Sequence, residues 1–304
     1  MPPIFLGLIC AVCGGFLAIV NRALMRRGAD VWAVSGVALV VGGLVILPFV
    51  DLEAIFVARF DVVSIAALIG ANVAWAAMTV YDARAYAGLS ASVNALLNAL
   101  RLVLLVLAGR FLFGESIPPL GIIGSILIVI GILAGASLSE LSQLRAARDR
   151  ALAVLWGGVA ITLDKYLTGV LPVDFVLLAG FFLPALFLLI VKGDIGRRIA
   201  REMRSAAFLL VLGGVLTGAM GWTLMYGFAR GELWSTLALR HMDIVFTFIF
   251  ALILLKERER GWQRGCAAVL CSVGAVCVTL SKDISSGAMR GAGESENRAL
   301  LASP

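Results

Sequence analysis

The informative residues of this 304-residue chain are charged and amide side chains set inside long apolar stretches. Asn94, Asn98 and Arg101 recur at i, i+4 and i+7, a spacing that puts all three on one helical face. Thr236, Arg240, Asp243 and Thr247 continue the same spacing over three turns. Asn72, Trp75, Thr79 and Asp82 form a third stripe at i, i+3, i+7 and i+10. A charge at the centre of a membrane-spanning helix costs roughly 2.5–3.5 kcal/mol. Residues that carry this cost face a bundle interior or a water-filled cavity, where they pair or bind ligand. Arg101, Arg240 and Asp243 together cost roughly 8–10 kcal/mol before pairing. One acid cannot neutralise two arginines, and the surplus charge suits a carboxylate or phosphate, which Arg grips in bidentate fashion. The other reading is a buried network tying two helical units together, although buried ion pairs are poor stabilisers.

Further candidates surround this group. Asp164 lies near the middle of its apolar stretch. Trp75, Trp222 and Tyr226 can supply aromatic walls or ordinary packing. Asp243 is a candidate proton carrier, as is His241, the sole histidine, which stands two residues before it at about 200° around the helix. Glu115 and Glu257 close their stretches and read as caps or loop partners.

The elements that must hold these groups are transmembrane helices. The chain is 61% hydrophobic and 14% charged, with mean hydropathy +1.02. So few charges cannot cover a water-facing surface. Apolar stretches near the 20 residues a span requires occur at about 4–25, 31–50, 62–81, 89–113, 118–138, 151–171, 173–192, 205–228, 233–255 and 262–281. The expected fold is therefore all-α and integral to the membrane, with ten transmembrane helices. The apolar run from Ile4 has no basic residue before it and reads as a retained helix, not a cleaved signal.

The chain repeats itself. GGFLAIVNRAL at 14–24 matches GGVAITLDKYL at 157–167, and FLFGE at 111–115 matches ILLKE at 253–257. The near-constant offset makes residues 1–144 and 145–282 two five-helix units, followed by a disordered polar tail at 283–304. An odd number of spans per unit inverts the second copy, and inverted repeats bind substrate at mid-membrane where the units meet. Arg101 and Asp243 each precede the closing glutamate of their match by 14 residues, so they are equivalent positions.

With Gly114-Glu115, Lys256-Glu257-Arg258, the Gly-rich GIIGSILIVIG stretch and ARAYAGLSAS at 83–92, the chain resembles the EamA-like branch of the drug/metabolite transporter superfamily. That resemblance spans about residues 4–281. It implies carriage of polar metabolites, amino acids or drugs across the inner membrane, often outward, and both termini inside. Charge places the termini outside: 16 Lys and Arg fall on one side and 7 on the other. The runs Arg145–Arg150 and Arg197–Arg204 read as solvated topology anchors.

The expected activity is secondary transport of a small anionic or zwitterionic metabolite, amino-acid-like or carboxylate, by alternating access. The partners are that substrate and the lipid bilayer. No G-x-x-x-x-G-K-[ST] phosphate loop is present to power a pump, and no cofactor is expected. The basic total reflects loop charge, not nucleic-acid binding. The second hypothesis is a membrane-embedded enzyme acting on lipid-linked substrates, but neither H-E-x-x-H nor G-x-S-x-G occurs. The five cysteines lie inside apolar stretches, and the C-x-x-C at Cys10 and Cys13 has no second pair or histidine to complete a zinc set. Gly131/Gly135 and Gly261/Gly265 are G-x-x-x-G pairs for close helix packing or a homodimer face.

Overall fold

The computed structural model describes residues 3–56, 60–98, 100–114, 119–135, 144–230, 240, 242–256, 261–263, 265–277 and 280. Every regular element among them is helical. The helices are α1 (Pro3–Arg26), α2 (Val31–Ile46), the short α3 (Leu52–Phe56), α4 (Val62–Gly88), α5 (Ala91–Asn98), α6 (Leu100–Leu112), α7 (Pro119–Gly135), α8 (Leu144–Val170), α9 (Val173–Val191), α10 (Ile195–Arg230) and α11 (Asp243–Leu254). Residues 265–277 form α12. Seven helices among the described residues are long and apolar enough to cross a membrane, with α5 and α6 taken together as one, and Pro119–Gly131 and Asp243–Leu254 are shorter apolar helices.

Helix starts are written in the sequence. Asp30 accepts from the backbone N–H groups of Trp32 and Ala33 at 3.0 and 3.1 Å, which satisfies orphan donors at the head of α2. Asp61 and Ser64 form a reciprocal capping box on α4, with Ser64 N–H 2.7 Å from Asp61 Oδ1 and Asp61 N–H 3.0 Å from Ser64 Oγ. These bonds favour the ionised Asp61 and hold its carboxyl below the ordinary value.

Helix α4 shows how the spans divide their surface. Ile65, Ile69 and Val73, four residues apart, are exposed and form the kind of apolar stripe lipid requires. Leu68, Ala71 and Ala76 on the other side join the core. The main packing pairs are α4 with α8, α2 with α10, and α1 with both α10 and α11. At the α2–α10 crossing, a Cβ on Gly218 would stand 2.7 Å from the Gly42 carbonyl oxygen. The backbones there touch, which is how transmembrane helices gain contact without a hydrophobic driving force.

Three helices outrun their expected spans. Helix α4 continues to Gly88, α8 begins at Leu144, and α10 begins at Ile195 and bends at Ala206 (φ −146°, ψ 30°). The basic runs at 145–150 and 197–204 are thus helical extensions, not loops. Arg145, Arg148, Arg197, Arg201 and Arg204 are exposed as expected. Arg150 is not: it is 2% exposed, because helical continuation turns its side chain into the bundle.

Candidate functional site

A cavity of about 170 Å³ lies in the middle of the bundle. Helices α1, α2, α4, α5, α6, α8, α9, α10 and the start of α11 contribute to its wall. Three arginines and two carboxylates converge there: Arg101, Arg150, Arg240, Asp82 and Asp243. Arg101 is 3% exposed, Arg240 8% and Asp243 8%. Arg101 experiences Arg240 and Arg150 as like charges and Asp82 and Asp243 as opposite ones. Three guanidinium groups against two carboxylates leave one positive charge over.

The binding capacity of these groups is only partly used. Arg150 Nη1 pairs with Asp82 Oδ1, and Arg101 Nη2 reaches the Ala153 carbonyl at 3.4 Å. Among the described residues, the Nε donors of Arg101, Arg150 and Arg240 are buried without a hydrogen-bond partner, as are the acceptors Asn98 Oδ1 and Asp243 Oδ1. Buried polar atoms normally find partners. Five orphans around one hollow make a surface that can donate to an anion and accept from an ammonium.

Two close contacts seat the central charges. A Cβ at Gly157 on α8 would lie 2.5 Å from Arg101 Cζ, and one at Gly14 on α1 would lie 3.2 Å from Asp243 Oδ2. The neighbouring glycines repeat the pattern: Gly15 faces Phe246, and Gly158 faces Leu104. Phe246 and Leu104 each follow their charged residue by three positions. Both charges therefore rest where a helix surface has no side chain.

Of the residues expected from sequence, Arg101, Asn98, Arg240, Asp243 and Trp75 meet at this cavity, as do Thr79 and Asp82 of the α4 stripe. Asn94, Asn72, Asp164, Trp222 and Tyr226 lie outside its wall. Asn94 is fully buried with its amide near the Leu89 carbonyl at 3.4 Å, and Asn72 donates to Leu68 O of its own helix at 2.7 Å. Both amides satisfy backbone, a use that helical spacing cannot tell from ligand binding. Asp164 is 2% exposed and accepts from Trp75 Nε1 at 2.6 Å, so it stands behind the wall and fixes the indole in it. Trp222 and Tyr226 contact one another at 5.0 Å. Tyr226 donates to Asp174 Oδ1 at 2.6 Å, while Asp174 Oδ2 accepts from the Asp51 amide at 3.0 Å. His241, Thr236, Glu115 and Glu257 lie outside the described residues. Sequence reasoning missed Arg150, Tyr86 and Asn21, all of which line the cavity. Asn21 carried a signal, since it aligns with Asp164 in the similar segments 14–24 and 157–167.

Among the described residues, no group of three or more His, Cys, Asp or Glu is placed to hold a metal. The described cysteines are free thiols, and Cys271 Sγ approaches the Ile128 carbonyl at 3.5 Å. Gly131 packs against Cys271 and Ala267 of the same chain, so this glycine serves an internal crossing.

Residues 1–134 match the model of the EamA-like transporter family. The match is consistent with the drug/metabolite transporter superfamily and marks a multi-pass membrane protein of transporter type. No curated protein matches the chain. Among solved structures, one described only as "Crystal structure of protein" has a TM-score of 0.68 at 16% identity, covering 91% of this chain and 96% of the other. At that identity the likeness extends to fold alone.

Proposed function

We propose that this EamA-like protein is a secondary transporter that moves a small anionic or zwitterionic metabolite, amino-acid-like or carboxylate, outward across the bacterial inner membrane. The observation that carries the reading is the set of unspent Arg101, Arg150 and Arg240 donors around a hollow with one surplus positive charge. Size narrows the cargo. A cavity of roughly 150 Å³ holds benzene, so about 170 Å³ suits a solute of similar size or slightly larger. The anionic end of the cargo meets the guanidinium groups, and the acceptors Asp243 and Asn98 take an ammonium where one is present. Asp243 acts in this scheme as a counter-charge within the site.

We read the chain as ten spans in two inverted halves, residues 1–144 and 145–282, with both termini outside. Packing supports the repeat. The offset of 143 residues that relates Gly14 to Gly157 also relates Gly70, which faces Leu163, to Gly213, which faces Val20. It relates Gly131, which faces Cys271, to Gly274, which faces Ile128. The contacts exchange when the halves exchange, as a pseudo-two-fold axis requires. Alternating access draws support from polar bonds near both ends of the cavity. Arg150–Asp82 and Arg22 to Tyr86 O (2.6 Å) lie toward the α1–α2 turn. Tyr226–Asp174–Asp51 lies toward the end of α2.

An untargeted comparison of metabolites in cells lacking and overproducing the protein tests the substrate class. We expect a small carboxylate or zwitterion to accumulate outside overproducing cells, and its uptake into proteoliposomes to fall sharply in Arg101→Ala and Asp243→Asn. A cationic or purely apolar cargo, or full flux in both variants, overturns the proposal.

A further inference from the structure

A second concentration of charge lies outside the cavity, where the starts of α2 and α10 meet the ends of α4 and α9. Trp32 is its centre. The Arg84 guanidinium stands 5.9 Å from the Trp32 ring and 5.5 Å from that of Tyr81, while Lys192 Nζ stands 5.3 Å from Trp32. Neither cation pairs with a carboxylate among the described residues. The nearby acids are committed elsewhere. Asp30 caps α2 with one oxygen and takes Arg198 with the other at 2.7 Å, and Asp194 takes Arg198 at 2.8 Å. Arg198 holds the Asp194 carboxyl below its ordinary range. Lys192 contributes to that lowering through the field but gains no ion pair.

Two cations sharing one indole repel each other, and the ring's attraction for a cation is modest at exposed sites. An anion between them would relieve the repulsion. The surroundings indicate which anion. Lys192 directly follows Leu189, Ile190 and Val191, which are 47%, 68% and 66% exposed and end a membrane-spanning helix. A molecule bridging Arg84 and Lys192 would therefore lie above a greasy, outward-facing surface. Trp and Tyr rings are characteristic of headgroup depth, and basic pockets between transmembrane helices bind anionic headgroups. A soluble substrate anion would have no use for the apolar run.

We propose that Arg84, Lys192, Trp32 and Tyr81 form a binding site for the headgroup phosphate of an anionic phospholipid, whose acyl chains run along Leu189–Val191. The site is separate from the cavity, whose wall contains none of the four residues.

Native mass spectrometry of the full-length protein, delipidated and titrated with phosphatidylglycerol or phosphatidylcholine, tests the assignment. At roughly 1 kcal/mol per basic residue at a headgroup, Arg84→Gln with Lys192→Gln should weaken phosphatidylglycerol binding by about thirtyfold. Phosphatidylcholine binding should remain unchanged. The control removes the same charge at exposed Arg197 and Arg204 and should leave phosphatidylglycerol binding within about twofold. Equal binding by wild type and the Arg84/Lys192 variant, or equal loss in the control, overturns the site. Inorganic phosphate separates the two sources of this chemistry: its failure to displace the lipid supports a headgroup site, and displacement at equal concentration overturns it. Equal thermal transitions of variant and wild type in phosphatidylcholine show that a lost lipid reflects the site. A lowered transition instead calls for Lys192→Arg, whose restored phosphatidylglycerol binding supports the site and whose failure to restore it rejects charge recognition.

Discussion

Substituting Gly157 by Ala tests the placement of Arg101 with a single methyl group. The added Cβ would lie 2.5 Å from Arg101 Cζ and 2.7 Å from both Nε and Nη2. Ordinary carbon contacts begin near 3.5 Å, so the guanidinium must retreat by about 1 Å. It sits at the end of a flexible side chain and can move, which keeps the stability cost at the low end of overpacking, about 1 kcal/mol. Function should suffer more. A charged hydrogen bond is worth about 1.5–3 kcal/mol, so displacing the fork should raise the half-saturation concentration for the proposed cargo by roughly 10- to 150-fold. The assay is initial-rate flux in proteoliposomes over a concentration series, with a thermal unfolding scan on the same preparation. Gly158→Ala is the matched control: its new methyl meets Leu104 Cδ1 at 3.6 Å, an ordinary contact, and flux should hold. If Gly157→Ala transports with unchanged half-saturation, or if Gly158→Ala is equally impaired, Arg101 does not serve the cargo from this seat.

Three other outcomes are expected. Asp82→Asn should lower stability by about 3–5 kcal/mol because it strands the buried Arg150 guanidinium, whereas Asp82→Leu with Arg150→Met should recover most of the loss in a thermal scan. Asp164→Ala should release the Trp75 indole and reduce flux, with Trp75→Phe reproducing the effect and the double variant adding little, as a double-mutant cycle of flux would register. At the α4 cap, the folded-state Asp61 carboxyl is held below its ordinary value of 3.8. Its contribution is therefore present above that value and is lost as pH falls through the lowered folded value. Ser64→Ala should remove part of this acid-dependent protection at the start of α4, as read by hydrogen exchange at pH 3 against pH 6.

Periodicity carried most of what the sequence could say about the site. Arg101, Asn98, Arg240 and Asp243 were legible because a charge in an apolar helix has a strong physical reason to face inward, and i, i+4 spacing fixes which side that is. The matched sequence segments added register: Arg101 and Asp243, paired by that match, rest against Gly157 and Gly14, which it also pairs. Sequence could not show how far along a helix polar groups stop serving the cavity. Asn94 and Asn72 share faces with cavity residues but lie a turn away and spend their amides on backbone. Arg150 was hidden for the opposite reason. It belongs to a basic run that hydropathy assigns to water, and only the unbroken course of α8 from Leu144 brings its side chain inside. Asp174, whose partners lie 52 and 123 residues away, had no local signal beyond its charge. The EamA-like motifs within residues 1–134 agree with the family match there but say nothing of which polar groups meet.

Asp30 constrains how α2 and α10 can move relative to each other. One of its oxygens holds the first turn of α2 and the other holds Arg198 on α10. The carboxylate thus pins together, at one membrane face, two helices that touch backbone to backbone farther along at Gly42 and Gly218. A pair fastened at two points can tilt as a single lever but cannot slide apart. In the alternating-access scheme proposed above, α2 and α10 would therefore move as one body, and the cavity would change shape by other helices turning against this strut.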